Sequence, residues 1–118
     1  MNYVIDPVQV EFWSLNAHTA VSAKLLADGK NMTVLYTTWG PGATAPEHTH
    51  PHEQMGLCLQ GEAVFVIDGT EYLVQAGQFY HIPGNVPHAE RNDGDEPAIL
   101  VDFFSPPRED LLRKRFEF

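Results

Sequence analysis

The residues best suited to chemistry lie in Pro46-Glu47-His48-Thr49-His50-Pro51-His52-Glu53-Gln54, three histidines within five positions. Side chains alternate faces along an extended strand, so His48 and His50 point the same way. Two imidazoles at that spacing can take adjacent positions on one metal ion. Counting on in twos puts Gln54 on their face and Glu53 on the other. Pro51 can break the alternation, so parity favours Gln54 and leaves Glu53 open. A further ligand must come from a distant segment, and His88 follows a turn, Pro83-Gly84-Asn85-Val86-Pro87, suited to placing it. The bland alternative is a pair of solvated loop histidines that bind nothing. A second, turn-presented histidine argues against that.

Two further groups could act on a ligand. In Ala98-Ile99-Leu100-Val101-Asp102-Phe103-Phe104, alternation places Ala98, Leu100, Asp102 and Phe104 on one face. A carboxyl between Leu100 and Phe104 is partly desolvated, which raises its pKa towards the range useful for proton transfer. Asp102 is the candidate general acid/base; the competing reading is a structural aspartate bonded to backbone. Arg108 follows the stiff Ser105-Pro106-Pro107 and could aim a guanidinium at a carboxylate-bearing ligand. An ordinary surface arginine capping the tail is the competing reading there.

Short β-favouring runs separated by Gly, Pro and Asp turns must position these groups. Val21–Ala27, the turn Asp28-Gly29-Lys30-Asn31 and Met32–Trp39 read as a hairpin. Gln54–Gln60, a Gly61 turn and Ala63–Asp68 read as a second pair, and Asp68-Gly69 turns into Tyr72–Gln75. Gln78–Ile82, His88–Asn92 and Ala98–Phe104 complete the set. Turn signals this frequent favour an all-β barrel or sandwich over a βαβ arrangement. Only Arg108–Arg115 looks helical, with acids at its start and bases at its end.

The even positions of the Gln54 strand should face inward. Gly56 then leaves room beside the metal, Cys58 reads as a small core residue in preference to a redox thiol or a ligand, and Gln60 follows. Met55, Leu57 and Leu59 face outward and imply a second sheet or a partner subunit, hence a homodimer. Trp39, Tyr36 and Phe104 are candidate pocket walls. His52 belongs beside the ligands or at the rim, Glu53 could hydrogen-bond a ligand imidazole from outside, and His81 and His18 are structural or exposed.

The 118 residues carry seven Lys plus Arg against sixteen Asp plus Glu, a net charge of −9. That balance argues against nucleic acid or an anionic membrane as partner. One cysteine excludes an internal disulfide. The first residues lack the basic start and apolar stretch of a signal peptide. A single cytoplasmic domain over 1–118 is the expectation.

The segment Gly42-x5-His48-x-His50-x3-Gln54-x6-Gly61 resembles the first motif of the cupin superfamily, and Gly77-x5-Pro83-x-Asn85-x2-His88-x3-Asn92 resembles the second. Gln54 stands where most cupins have Glu, and Asn85 where they have Gly. The resemblance implies a double-stranded β-barrel, often dimeric, with one divalent metal inside, held by His48, His50, Gln54 and His88. With four neutral ligands the metal keeps its full +2 charge, which favours Lewis-acid over dioxygen chemistry. Nickel, zinc, iron and manganese all suit such ligands.

Within the superfamily the run from Asp102 to Asp110 is similar to single-domain KdgF-type cupins of pectin and alginate breakdown, which convert 4,5-unsaturated uronates to linear keto forms. That resemblance implies substrate-facing roles for Asp102, Phe104 and Arg108, an isomerase-like activity and a small anionic substrate. The run Glu53–Cys58 also resembles a bacilysin-biosynthesis bicupin that isomerises a keto acid; one cupin unit here favours the first group. A metal-dependent dioxygenase and a non-catalytic sensor or sugar-binding module are the alternatives.

Overall fold

A computed structural model of the chain describes residues 3–15 and 19–111. After a short 3-10 turn at Pro7–Gln9 come nine strands: β1 (Phe12–Ser14), β2 (Thr19–Asp28), β3 (Thr33–His48), β4 (Glu53–Gln60), β5 (Glu62–Ile67), β6 (Thr70–Gln75), β7 (Phe79–Ile82), β8 (His88–Arg91) and β9 (Ala98–Ser105). They join antiparallel in the order β6-β5-β8-β3-β9-β4-β7, with β2 on β3 and β1 on β2. The result is the expected all-β, nearly closed barrel. Strand β3 runs through both halves. Its first part pairs with β2 and β9, and its last residues pair with β8, including His48 opposite His88.

The turn chemistry explains much of this. Asp68 and Gly69 link β5 to β6 with φ of 50° and 82°, and two positive φ values are what a tight two-residue hairpin requires. The Gly61 link behaves differently. Strands β4 and β5, expected to pair, do not: β4 lies between β7 and β9, and β5 between β6 and β8. One residue is too short for a hairpin, so Gly61 (φ 72°) carries the chain from one half of the barrel to the other. A Cβ there would also lie 2.6 Å from the Pro97 carbonyl oxygen.

One half of the interior is apolar, with Phe65, Ile82, Leu100 and Cys58 almost fully buried. The other half holds the polar groups. The inward alternation of β4 holds for Gln54, Gly56 and Cys58, and then fails: the register shifts after Cys58, and Gln60 is exposed. Met55 and Leu59 are exposed on the outer side, as are Phe79 and Phe103. Residues 109–111 begin a helix; the rest of the expected Arg108–Arg115 helix, like His18, lies outside the described residues. No helix among the described residues is long and apolar enough to cross a membrane.

Candidate functional site

The barrel holds a cavity of about 220 Å³, below the usual range of roughly 300–1,000 Å³ for ligand pockets, so it suits a small ligand. His48 enters it from the end of β3 and His88 from the start of β8. His50 sits on the connection to β4, and Gln54 on β4 itself. The loop before β8 is tied to this connection. Asn85, in the left-handed region at φ 66°, donates its N–H to the His50 carbonyl at 2.8 Å. Asn tolerates that conformation nearly as well as Gly, so its place in the motif costs little.

The three histidines converge. One nitrogen from each lies within 4.8 Å of the others, a grouping that could hold a metal ion. Each Nδ1 donates to a backbone carbonyl: His48 to Pro46 at 2.8 Å, His50 to His52 at 3.0 Å, His88 to Val86 at 2.8 Å. A carbonyl only accepts, so in a neutral ring the proton sits on Nδ1 and the lone pair is on Nε2. His88 Nε2 is buried with no hydrogen-bond partner among the described residues. Burial, then the Arg108 charge, lowers His50 to about 4, and burial lowers His88. Both are therefore neutral near pH 7, the form a metal requires.

Gln54 completes the test of fit. Its Nε2 donates to Asp102 Oδ1 at 2.9 Å, which fixes the amide orientation and turns Oε1 towards His50 Nε2, 3.2 Å away. Two lone-pair-bearing atoms then face one another, an arrangement that a cation beside them makes favourable. The donor set and the unpartnered His88 nitrogen both suit a divalent transition metal. Glu53 does not compete. It points outward and binds His81 at 2.8 Å rather than supporting a ligand imidazole from outside. His52 supports the cluster through its carbonyl.

Asp102 enters the cavity from β9. Tyr80 Oη donates to its Oδ1 at 2.6 Å, beside the Gln54 amide, and Oδ2 has no partner among the described residues. Burial raises its carboxyl to about 6, against the pull of these two donors and of Arg108. Strand register explains the contact. Tyr80, Gly56 and Asp102 form one row across β7, β4 and β9. A Cβ on Gly56 would lie 2.4 Å from the Tyr80 ring, so the missing side chain makes room for that ring and not, as expected from sequence, for a metal.

Arg108 is buried in the cavity wall, its guanidinium carbon 4.6 Å from the centre of the Phe104 ring. Nε and Nη2 grip Asp110 at 2.9 Å each, and the backbone N–H binds Thr33 Oγ1. Burial tends to raise Asp110, but the hydrogen bonds and charge of Arg108 outweigh it and hold the acid at about 2. Trp39 and Phe104 line the cavity as expected. Tyr36 does not, and stacks under Lys24 elsewhere.

Sequence reasoning missed two residues here. Glu90, two positions beyond His88 on β8, lines the cavity and is 7% exposed. Burial, then the Asp102 charge, raises it to about 8, with Arg108 opposing. Its parity with His88 was the available signal. Tyr80 had none, because its role depends on which strand lies beside β4.

Comparison with known proteins places this geometry. The chain is 37% identical over 90 residues to the HTH-type transcriptional regulator PuuR of Escherichia coli (strain K12), covering 73% of this chain and 49% of that protein. It is 33% identical over 78 residues to quercetin 2,3-dioxygenase of Bacillus subtilis (strain 168), covering 64% and 23%. The chain thus spans about half or less of these curated relatives. Among solved structures it is similar to KdgF from Halomonas sp., with a TM-score of 0.85 at 19% identity over 94% of this chain and 99% of that one, a likeness of fold. The family model described as "Cupin domain" matches residues 35–104, and the chain belongs to the cupin family.

Proposed function

We propose that this cupin linearises 4,5-unsaturated uronates to their keto forms, by a metal-dependent and non-redox route. The observation that carries the reading is a buried carboxyl, Asp102, with one oxygen unpartnered among the described residues, between a three-histidine cluster and a fixed guanidinium. A divalent ion on His48, His50, His88 and the Gln54 amide supplies Lewis acidity with its +2 charge undiminished, since all four donors are neutral.

The chain's own groups divide the remaining work. Asp110 occupies the Nε–Nη2 edge of Arg108, which leaves the Nη1 side to hold a substrate carboxylate. Phe104 supports the guanidinium from below. Tyr80 and Gln54 hold Asp102 Oδ1, so Oδ2 is the oxygen that exchanges the proton. The ring C1–O bond breaks as the C1 hydroxyl loses its proton and becomes an aldehyde. C4 gains a proton through Asp102 as C5 becomes a ketone. The sum is an isomerisation, with no atom gained or lost. Positioned proton transfer of this kind gives about 10²–10⁴-fold.

The test is loss of the conjugated-alkene absorbance when metal-loaded protein meets an unsaturated monouronate. Absorbance decay above the spontaneous rate supports the reading; an unchanged rate contradicts it. Similarity to a transcriptional regulator supports a second reading, a ligand-sensing module, for which the ligand would bind tightly and be recovered unchanged. Oxygen uptake with iron and substrate would instead favour the dioxygenase reading. The exposed Met55, Phe79 and Phe103 on the outer face of β4, β7 and β9 support a homodimer, which light scattering tests.

A further inference from the structure

The cavity contains one acidic side chain that the proposed reaction leaves unused. Glu90, on β8, lines the same cavity as Asp102 on β9. It is 7% exposed, yet no group among the described residues hydrogen-bonds its carboxyl. The contrast with its neighbours is sharp. Asp102 has two donors on Oδ1, and Asp110 has two from Arg108. A buried polar group without a protein partner is costly, and any ligand that fills the cavity displaces water from it. Such a ligand must bring its own donor to Glu90 or lose affinity.

The charge layout narrows what that ligand is. Arg108 and the histidine cluster attract the acid end of a ligand. Glu90, in the same cavity lining as Asp102, offers a carboxyl oxygen that needs a hydrogen-bond donor. We infer that Glu90 is a specificity-determining residue that accepts a hydrogen bond from a ligand hydroxyl, selecting a hydroxylated acid over a plain carboxylate. The inference rests on the reading of the site as an acid-binding one. It does not depend on linearisation, and a carboxyl keeps an acceptor oxygen in either protonation state.

Two six-membered-ring acids that differ in hydroxylation, D-galacturonate and cyclohexanecarboxylate, provide the test. Their dissociation constants are measured by calorimetry on zinc-loaded protein, with zinc content checked in each variant. The wild type is expected to prefer galacturonate. Glu90→Leu should weaken galacturonate about tenfold or more and leave cyclohexanecarboxylate unchanged. Glu90→Gln, which keeps an acceptor oxygen, should restore most of the preference, and Arg108→Ala should weaken both acids alike. Equal loss of both acids in Glu90→Leu, or no galacturonate preference in the wild type, overturns the inference. Failure is separable from failure of the proposed reaction. An intact Glu90-dependent preference without uronate turnover removes only the reaction. Turnover with an unchanged KM in Glu90→Leu removes only the role of Glu90.

Discussion

Asp110 sets the pose of Arg108, and its low pKa gives that contact a pH signature. The ordinary carboxyl value is 3.8, and in the fold it is about 2. A depressed acid contributes stability that is fully present above the unfolded value and is lost as pH falls through the folded one. Urea midpoints of wild type and Asp110→Asn should therefore differ most at pH 5 and converge as pH approaches 2. A gap that stays constant with pH would show that the contact is not this ion pair. The same residue scale shows what a sequence does and does not reveal. Parity from His48 and His50 reached Gln54, although Pro51 intervened, because β4 resumes alternation at once. Identical parity from His88 reaches Glu90, but a lone acid near a histidine draws no notice until both strand faces are known. The Tyr80–Asp102 bond is invisible in one dimension, since it joins residues brought together only by their common neighbour β4.

Gly56 is where an element depends on a single missing atom group. Strand β4 brings it between Tyr80 and Asp102, and the Tyr80 ring lies across its Cα. Gly56→Ala should destabilise the fold by about 1–3 kcal/mol through overpacking. It should also displace Tyr80, so that uronate turnover falls even where the protein remains folded. Thermal melts and turnover measured on one preparation check both, and wild-type values for each would refute this packing role. Most strands were legible from turn chemistry, notably the two hairpins built on Asp28-Gly29 and Asp68-Gly69. The partner of β4 was not. Propensity marks where a strand lies, while pairing is decided by link length and by barrel closure. A one-residue link at Gly61 looks like a turn in sequence and works as a crossing between sheets.

The whole molecule carries −9, and the proposed ligand is also an anion. The long-range field opposes entry, and the local positive charge of Arg108 and a bound ion must hold the ligand once inside. Association rates for an anionic ligand should therefore rise between low salt and about 0.15 M, where the Debye length is about 8 Å. Stopped-flow measurement of a falling rate would place the guiding field at the site itself. Metal should couple to global stability in the same way. An ion present at 100 times its dissociation constant adds about 2.7 kcal/mol. A chelator should lower Tm, and His88→Ala should abolish the metal-dependent rise; an unchanged rise would remove His88 from the ligand set. The central claim concerns Asp102, and one measurement reaches it directly: unsaturated-uronate turnover by Asp102→Asn, with metal content determined on the same sample. The expected result is full metal occupancy with turnover reduced about 10²–10⁴-fold. Wild-type turnover by the metal-loaded variant would contradict it.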